Sequence, residues 1–307
     1  MSNLVETKEL TKWYGQVIGI NDITVRVNRG ITGLLGPNGA GKTTFIKILT
    51  GQIKQSRGEV TLFGEPAWNN PPLTKKIGYC PEQDNLYDSL SGPLFLSFML
   101  QLHGYDRKEA EERMSWGLEM VKLQDAGEKK IGAYSKGMRQ RIKLAQSIVH
   151  DPEILFLDEP LTGMDPLGRK QTIDLIRKFG EEGKTVIVSS HILHEVEAMT
   201  EEILLIHNGR ILAEGGIHQI RELIDEHPHN ITITCDKVRE LASVLTGYGD
   251  VVSIRFDQDE QSLTAQSVKP DEFYARLPEL ILEHDISVTE LFSPDNNLQA
   301  VFNYLVK

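Results

Sequence analysis

Two cysteines in 307 residues, Cys80 and Cys235, are too few and too far apart for a disulfide framework, and they fit buried thiols in a reducing compartment. No apolar run approaches the roughly 20 residues that a bilayer crossing requires. The best of them, Leu94 to Leu102 and Ile203 to Ile206, are short or interrupted. The opening Met1-Ser2-Asn3-Leu4-Val5-Glu6 lacks the basic stretch and apolar core of a secretory leader, so a cytosolic chain is expected. Basic residues are scarce as well. Lys and Arg number 33 against 44 Asp and Glu, and a net charge of −11 repels phosphate backbones, which excludes nucleic acid as a general partner. Low complexity and internal repeats are both absent. What remains is an ordinary globular composition, 40% hydrophobic and 25% charged, over a length that suits one large domain and one small one.

From Leu4 to about Gly216, short β-rich runs alternate with amphipathic segments, which predicts an α/β domain with a largely parallel sheet. Ile154 to Leu157 and Val186 to Ser189 are continuously apolar, as expected of central strands covered on both faces. Between Pro93 and Leu123 the period becomes helical, with Leu94, Phe95, Phe98, Met99 and Leu102 on one stripe. The break at His227-Pro228-His229-Asn230 predicts a second unit. Its element order, βαββαβ with a trailing helix over Leu298 to Leu305, suits a small ferredoxin-like α+β domain. From Asn230 onward six basic residues face thirteen acidic ones, most of the chain's negative excess. Asp257, Asp259 and Glu260 read as a solvated hairpin turn.

Gly36-Pro37-Asn38-Gly39-Ala40-Gly41-Lys42-Thr43, followed by Thr44, fits the phosphate-binding P-loop, and it lies between the strand Ile31 to Leu35 and a helical run. Glycines let successive N–H groups close on phosphate oxygens, and the following helix directs partial positive charge at the anion. Lys42 would neutralise the β- and γ-phosphates and Thr43 would offer its hydroxyl to Mg²⁺. Asp158 and Glu159 leave the apolar strand Ile154 to Leu157 together. Two adjacent acids in such a place are expensive unless they serve chemistry.

Tyr134-Ser135-Lys136-Gly137-Met138-Arg139-Gln140-Arg141 resembles the signature motif of ABC ATPases, with Lys136 and Met138 in place of the usual Gly and Gln. The resemblance extends over about residues 2 to 220. It implies the ABC type of P-loop NTPase fold, a mixed sheet with a helical subdomain over about 84–150, in a nucleotide-binding domain spanning 1–226 ahead of an accessory domain over 230–307. It implies ATP and Mg²⁺ as ligands, Asp158 on the metal, Glu159 polarising the attacking water, and His191 as the switch histidine at the γ-phosphate. Gln83 resembles the Q-loop glutamine that reaches Mg²⁺ or water, Asp165 the D-loop acid at the dimer interface, and Tyr14 the aromatic that stacks on adenine. Ser135 and Gly137 would complete the site of a second copy, so the resemblance implies a homodimer with two shared ATP sites. It further implies a peripheral protein on the cytoplasmic face of the membrane, coupled to an integral permease on a separate chain. The motif variants are similar to those of drug, antibiotic and sodium exporters. A soluble ABC ATPase acting outside transport is the alternative, although neither a long coiled coil nor a second ATPase domain is present.

Overall fold

The computed structural model describes residues 4–127, 129–216, 228–257 and 261–293. By its internal contacts the chain divides into two compact units, residues 1–216 and 217–307.

The first unit contains two sheets. Strands β1 (Val5–Tyr14), β2 (Val17–Val27), β4 (Arg57–Leu62) and β5 (Glu65–Pro66) form an antiparallel sheet in the order β2-β1-β4-β5. The second sheet joins β3 (Gly30–Leu35), β6 (Ile77–Cys80), β7 (Ile154–Asp158), β8 (Thr185–Ser190), β9 (Glu202–His207) and β10 (Arg210–Gly216) in the order β10-β9-β3-β8-β7-β6. Every pairing in it is parallel except the hairpin of β9 with β10. The expectation of a largely parallel sheet describes this one and misses the antiparallel sheet. That sheet's strands alternate buried and exposed residues and carry the weaker, one-faced signal.

Successive side chains along β7 enter different cores, as the strand period demands. Ile154 and Phe156 pack with Phe45, Ile46 and Leu49 of α1 (Lys42–Leu49) between the two sheets. Leu155 and Leu157 face the helices on the other side. Those are α3 (Gly92–Leu102), α4 (Arg107–Met120), α5 (Lys136–Ile148) and α6 (Pro166–Glu181), whereas α2 (Pro71–Thr74) and α7 (Leu193–Glu197) are single turns. The predicted α3 stripe is divided. Phe95, Leu96 and Leu100 are buried, while Leu94, Phe98 and Leu102 are 56%, 47% and 68% exposed. Helical spacing fits both sets, and only the packing of α4 and α5 chooses between them.

The second unit is a four-stranded antiparallel sheet in the order β12-β13-β11-β14, built from β11 (His229–Cys235), β12 (Val251–Phe256), β13 (Ser262–Ser267) and β14 (Val288–Phe292). Helices α8 (Val238–Leu245) and α9 (Pro270–Glu283) lie at the two crossovers, giving the split βαββαβ arrangement. Ile231, Ile233, Leu263 and Ala265 pack with Leu241 and Phe273 as its core. The predicted helix over Leu298 to Leu305, together with Asp259 and Glu260, lies outside the described residues.

Candidate functional site

Strand β3 ends at Leu35, and the chain turns through residues 36–41 before α1 begins at Lys42. Gly41 is the N-cap of that helix with φ of 108°, a left-handed conformation that only glycine adopts without strain. A Cβ there would also stand 2.7 Å from the Gly19 carbonyl. No side chain caps α1 and no acid occupies its first turn, so its N–H groups remain available to an external anion. Pro37, Asn38, Gly39, Gly41, Lys42, Thr43 and Thr44 line a cleft of about 360 Å³. Gly36 and Ala40 back the loop: the Gly36 N–H donates to the Ser190 carbonyl, and the Ala40 carbonyl accepts from Gly209.

Lys42 is buried, and its ammonium donates to the carbonyls of Gly36 at 2.7 Å and Pro37 at 3.2 Å. Its Nζ also lies 3.2 Å from Oε1 of Glu159. The other oxygen of that carboxylate accepts from Nδ1 of His191 at 2.9 Å. Glu159 follows β7 with φ of 51°, the sparsely populated left-handed region for a residue with a side chain. Its backbone is held there by Thr162, whose N–H donates to its carbonyl at 3.3 Å, and by two side chains. Its N–H donates to Oγ of Ser189 at 2.9 Å, and its carbonyl accepts from Nε2 of Gln140 at 3.3 Å.

Asp158 has no exposed surface. Its Oδ1 accepts from Oγ of Ser189 at 2.6 Å, while among the described residues the buried Oδ2 has no well-formed hydrogen bond, the Thr43 hydroxyl acting on the carboxylate only weakly. Burial pushes its carboxyl above the usual carboxylate range, against the opposing pull of Ser189 and Thr43. A buried and poorly satisfied carboxylate oxygen, near the hydroxyl of Thr43 and the carboxylate of Glu82, is the hard oxygen set that a divalent cation such as Mg²⁺ accepts.

From the loop after β6 the cleft receives Glu82, whose Oε2 lies 3.5 Å from Oγ1 of Thr43. Gln83 is exposed, and its Oε1 accepts from Asn85. Tyr14 stands at the cleft with Val17, Ile18 and Gly19. Its ring covers Gly19 so closely that a Cβ there would come within 2.8 Å of it. Trp13 does not line the cleft, and its N–H donates to Ser56.

Ser135, Gly137 and Asp165 are brought together away from this cleft. Ser135 caps α5, accepting from the Met138 N–H at 3.3 Å, and Gly137 approaches the Gly163 carbonyl. Asp165 caps α6, with Pro166 in its first turn, and accepts from the Gly168 N–H at 2.7 Å. The residues that the sequence did not single out are Glu82, Ser189 and Gln140. Their contacts reach residues distant in sequence, so no local pattern marks these roles, even though Gln140 stands inside the Tyr134–Arg141 motif.

The family pattern described as ABC transporter matches residues 20–162. An uncharacterised ABC transporter ATP-binding protein of Synechocystis is 39% identical over 71% of this chain, and the match spans 64% of that relative's length. The bacitracin transport ATP-binding protein of Bacillus licheniformis is 38% identical over 70% of each chain. The daunorubicin/doxorubicin resistance ATP-binding protein of Streptomyces peucetius is 31% identical over 97% of this chain and 91% of its own. Among solved structures, the ATP-binding subunit of an ABC transporter superposes with a TM-score of 0.66 at 29% identity, covering 72% of this chain and 93% of that one. A bacterial ABC transporter cassette solved as a dimer reaches 0.65 at 25% identity over 69% and 98%. The strand–loop–helix cleft and these likenesses agree, and the chain belongs to the family of ABC transporter ATP-binding proteins.

Proposed function

We propose that this chain binds ATP with Mg²⁺ and hydrolyses it as one half of a homodimer, beneath a membrane permease carried on a separate polypeptide. The observation that carries the reading is the constellation of buried Lys42 and Glu159 with the more exposed His191, beside buried Asp158 at the mouth of the P-loop. Lys42 and the free N–H groups of α1 grip the β- and γ-phosphates, and Tyr14 stacks on the base. Phosphate competes with Glu159 for Lys42, so nucleotide entry frees the carboxylate to polarise water while His191 orients it. Asp158, Thr43 and Glu82 would hold Mg²⁺, which neutralises charge on the phosphates. Because Glu82 lines the cleft and Gln83 is exposed beside it, we favour Glu82 for the metal role that the resemblance implied for Gln83.

Ser135 and Gly137 are away from the cleft of their own chain, which suits a role at the site of a second copy, with Asp165 at the shared interface. The dimeric cassette supports that arrangement by likeness. We take residues 1–226 as the nucleotide-binding domain and 230–307 as an accessory domain that supports the dimer. The exposed row Leu94, Phe98 and Leu102, with Tyr87 nearby, suits docking of the permease's cytoplasmic helix. Relatives named for bacitracin transport and daunorubicin/doxorubicin resistance favour export. Among the described residues no helix is long and apolar enough to cross a membrane, consistent with a peripheral subunit.

Glu159→Gln is expected to lower turnover by about 10²- to 10⁴-fold while nucleotide still binds, and to accumulate an ATP-bound dimer visible by size-exclusion chromatography. A variant that stays monomeric with saturating Mg-ATP counts against the shared site.

A further inference from the structure

Helix α5 carries a buried cation that the chemistry above does not use. Lys143 is 3% exposed, and burial pushes its ammonium below the usual lysine range. Its hydrogen-bond partners are two backbone carbonyls, those of Pro81 and Glu82, each at 2.9 Å. One turn earlier on the same helix, Arg139 donates to the carboxylates of Asp84 and Asp88 and to the Ile131 carbonyl at 3.0 Å. The two cations therefore grip the loop at 81–88 near both ends. A methionine would fill the space of Lys143 without the cost of burying charge, but would leave both carbonyls unpaired where the chain leaves β6. Fixing those carbonyls fixes the Pro81–Glu82 and Glu82–Gln83 peptide planes. Those planes in turn set which side chain of the loop enters the cleft.

We propose that Lys143, assisted by Arg139, is a positioning residue that locks the loop at 81–88 onto α5 so that Glu82, and not Gln83, is presented to the cleft. The inference rests on the proposed ATPase activity only for its kinetic consequence. Because Ser135 caps α5 about 12 Å from Lys143 along the axis at 1.5 Å per residue, the clamp also makes the signature tip and Glu82 move as one body.

The test is hydrogen exchange followed by mass spectrometry on the nucleotide-free full chain, alongside steady-state kinetics, for Lys143→Met, Lys143→Arg and Arg139→Gln. Lys143→Met is expected to speed exchange of peptides covering 81–88 about tenfold while β7 and α6 stay protected. Its kcat for ATP should drop about tenfold with KM changed less than about twofold, and Lys143→Arg should restore most of both. Arg139→Gln should loosen 84–88 alone, and it decides the matter if Lys143→Met does not fold. Unchanged loop exchange in the decisive variant overturns the proposal. A wild-type chain without ATP turnover whose loop is nonetheless loosened by Lys143→Met would defeat the ATPase reading and leave the clamp standing.

Discussion

Asp158 is a carboxylate without any exposed surface whose second oxygen has no well-formed hydrogen bond among the described residues. Such a group costs the folded chain stability unless a cation joins it, and burial has already shifted it toward the neutral form. Asp158→Asn keeps an acceptor for Ser189 and removes the buried charge. We expect it to raise the metal-free thermal midpoint by about 2–4 °C, the equivalent of about 1 kcal/mol in a unit of this size. The same change should lower affinity for Mg-ATP by about tenfold or more, read by calorimetry. A lower midpoint would show that the carboxylate is already compensated. Function and stability thus oppose each other at one atom. The left-handed backbone of Glu159 next to it is a second instance, tolerated because Ser189 and Gln140 hold both of its backbone polar groups.

At the level of elements, the junction of β6, α3 and α5 is closed by two stacked imidazoles. His103 and His150 lie 4.2 Å apart between ring centroids, and Nε2 of His150 bonds the Ile77 carbonyl at the start of β6. Burial drives His150 down to about 4, partly countered by that carbonyl, with His103 and Arg113 adding to the depression and Asp151 opposing it. Burial also lowers His103, with Lys75 contributing. Between pH 6.5 and about 4 the unfolded chain accepts protons that the folded pair refuses, so stability falls as pH drops through that window. His150→Gln should flatten the loss by on the order of 2 kcal/mol, seen as a smaller shift in urea midpoint between pH 7 and pH 5. An unchanged slope would mean that other groups govern acid unfolding. None of this was legible in the sequence, where His103 and His150 look like isolated histidines at helix ends. The α3 stripe shows the same limit, because its spacing fixes a helix but not which of Leu94 and Phe95 turns inward.

For the whole molecule, the two units rest on separate cores, and the second depends on a partly buried ion pair. Asp250 accepts both oxygens' worth of bonds from Arg276, at 3.0 and 2.9 Å, and the guanidinium lies 3.7 Å over the Tyr248 ring. Burial pushes the Asp250 carboxyl up, but the bonds and charge of Arg276 together with the hydrogen bonds from the backbone and Ser267 hold the group below the usual carboxylate range. Its contribution is therefore present above the usual aspartate range and is lost as pH falls through the depressed value. Arg276→Met should destabilise this unit by about 2–3 kcal/mol in denaturant unfolding at pH 7, because it strands a buried carboxylate. Nucleotide affinity should not change, since among the described residues the partners of the pair, Tyr248 and Ser267, belong to the second unit. A parallel loss of nucleotide binding would mean that the units depend on each other.

The phosphate-binding loop, the strand that ends in Asp158 just ahead of Glu159, and the caps of α5 and α6 were set by the sequence alone. Glycine conformations, strand periodicity and helix capping are local, so a few adjacent residues suffice to specify them. Tertiary structure decided which side chains meet. It set Glu159 between Lys42 and His191, turned Glu82 rather than Gln83 into the cleft, and divided the apolar residues of α3 between core and surface. Those choices depend on distances between residues far apart in the chain, and only the packing of the sheets and α5 fixes them.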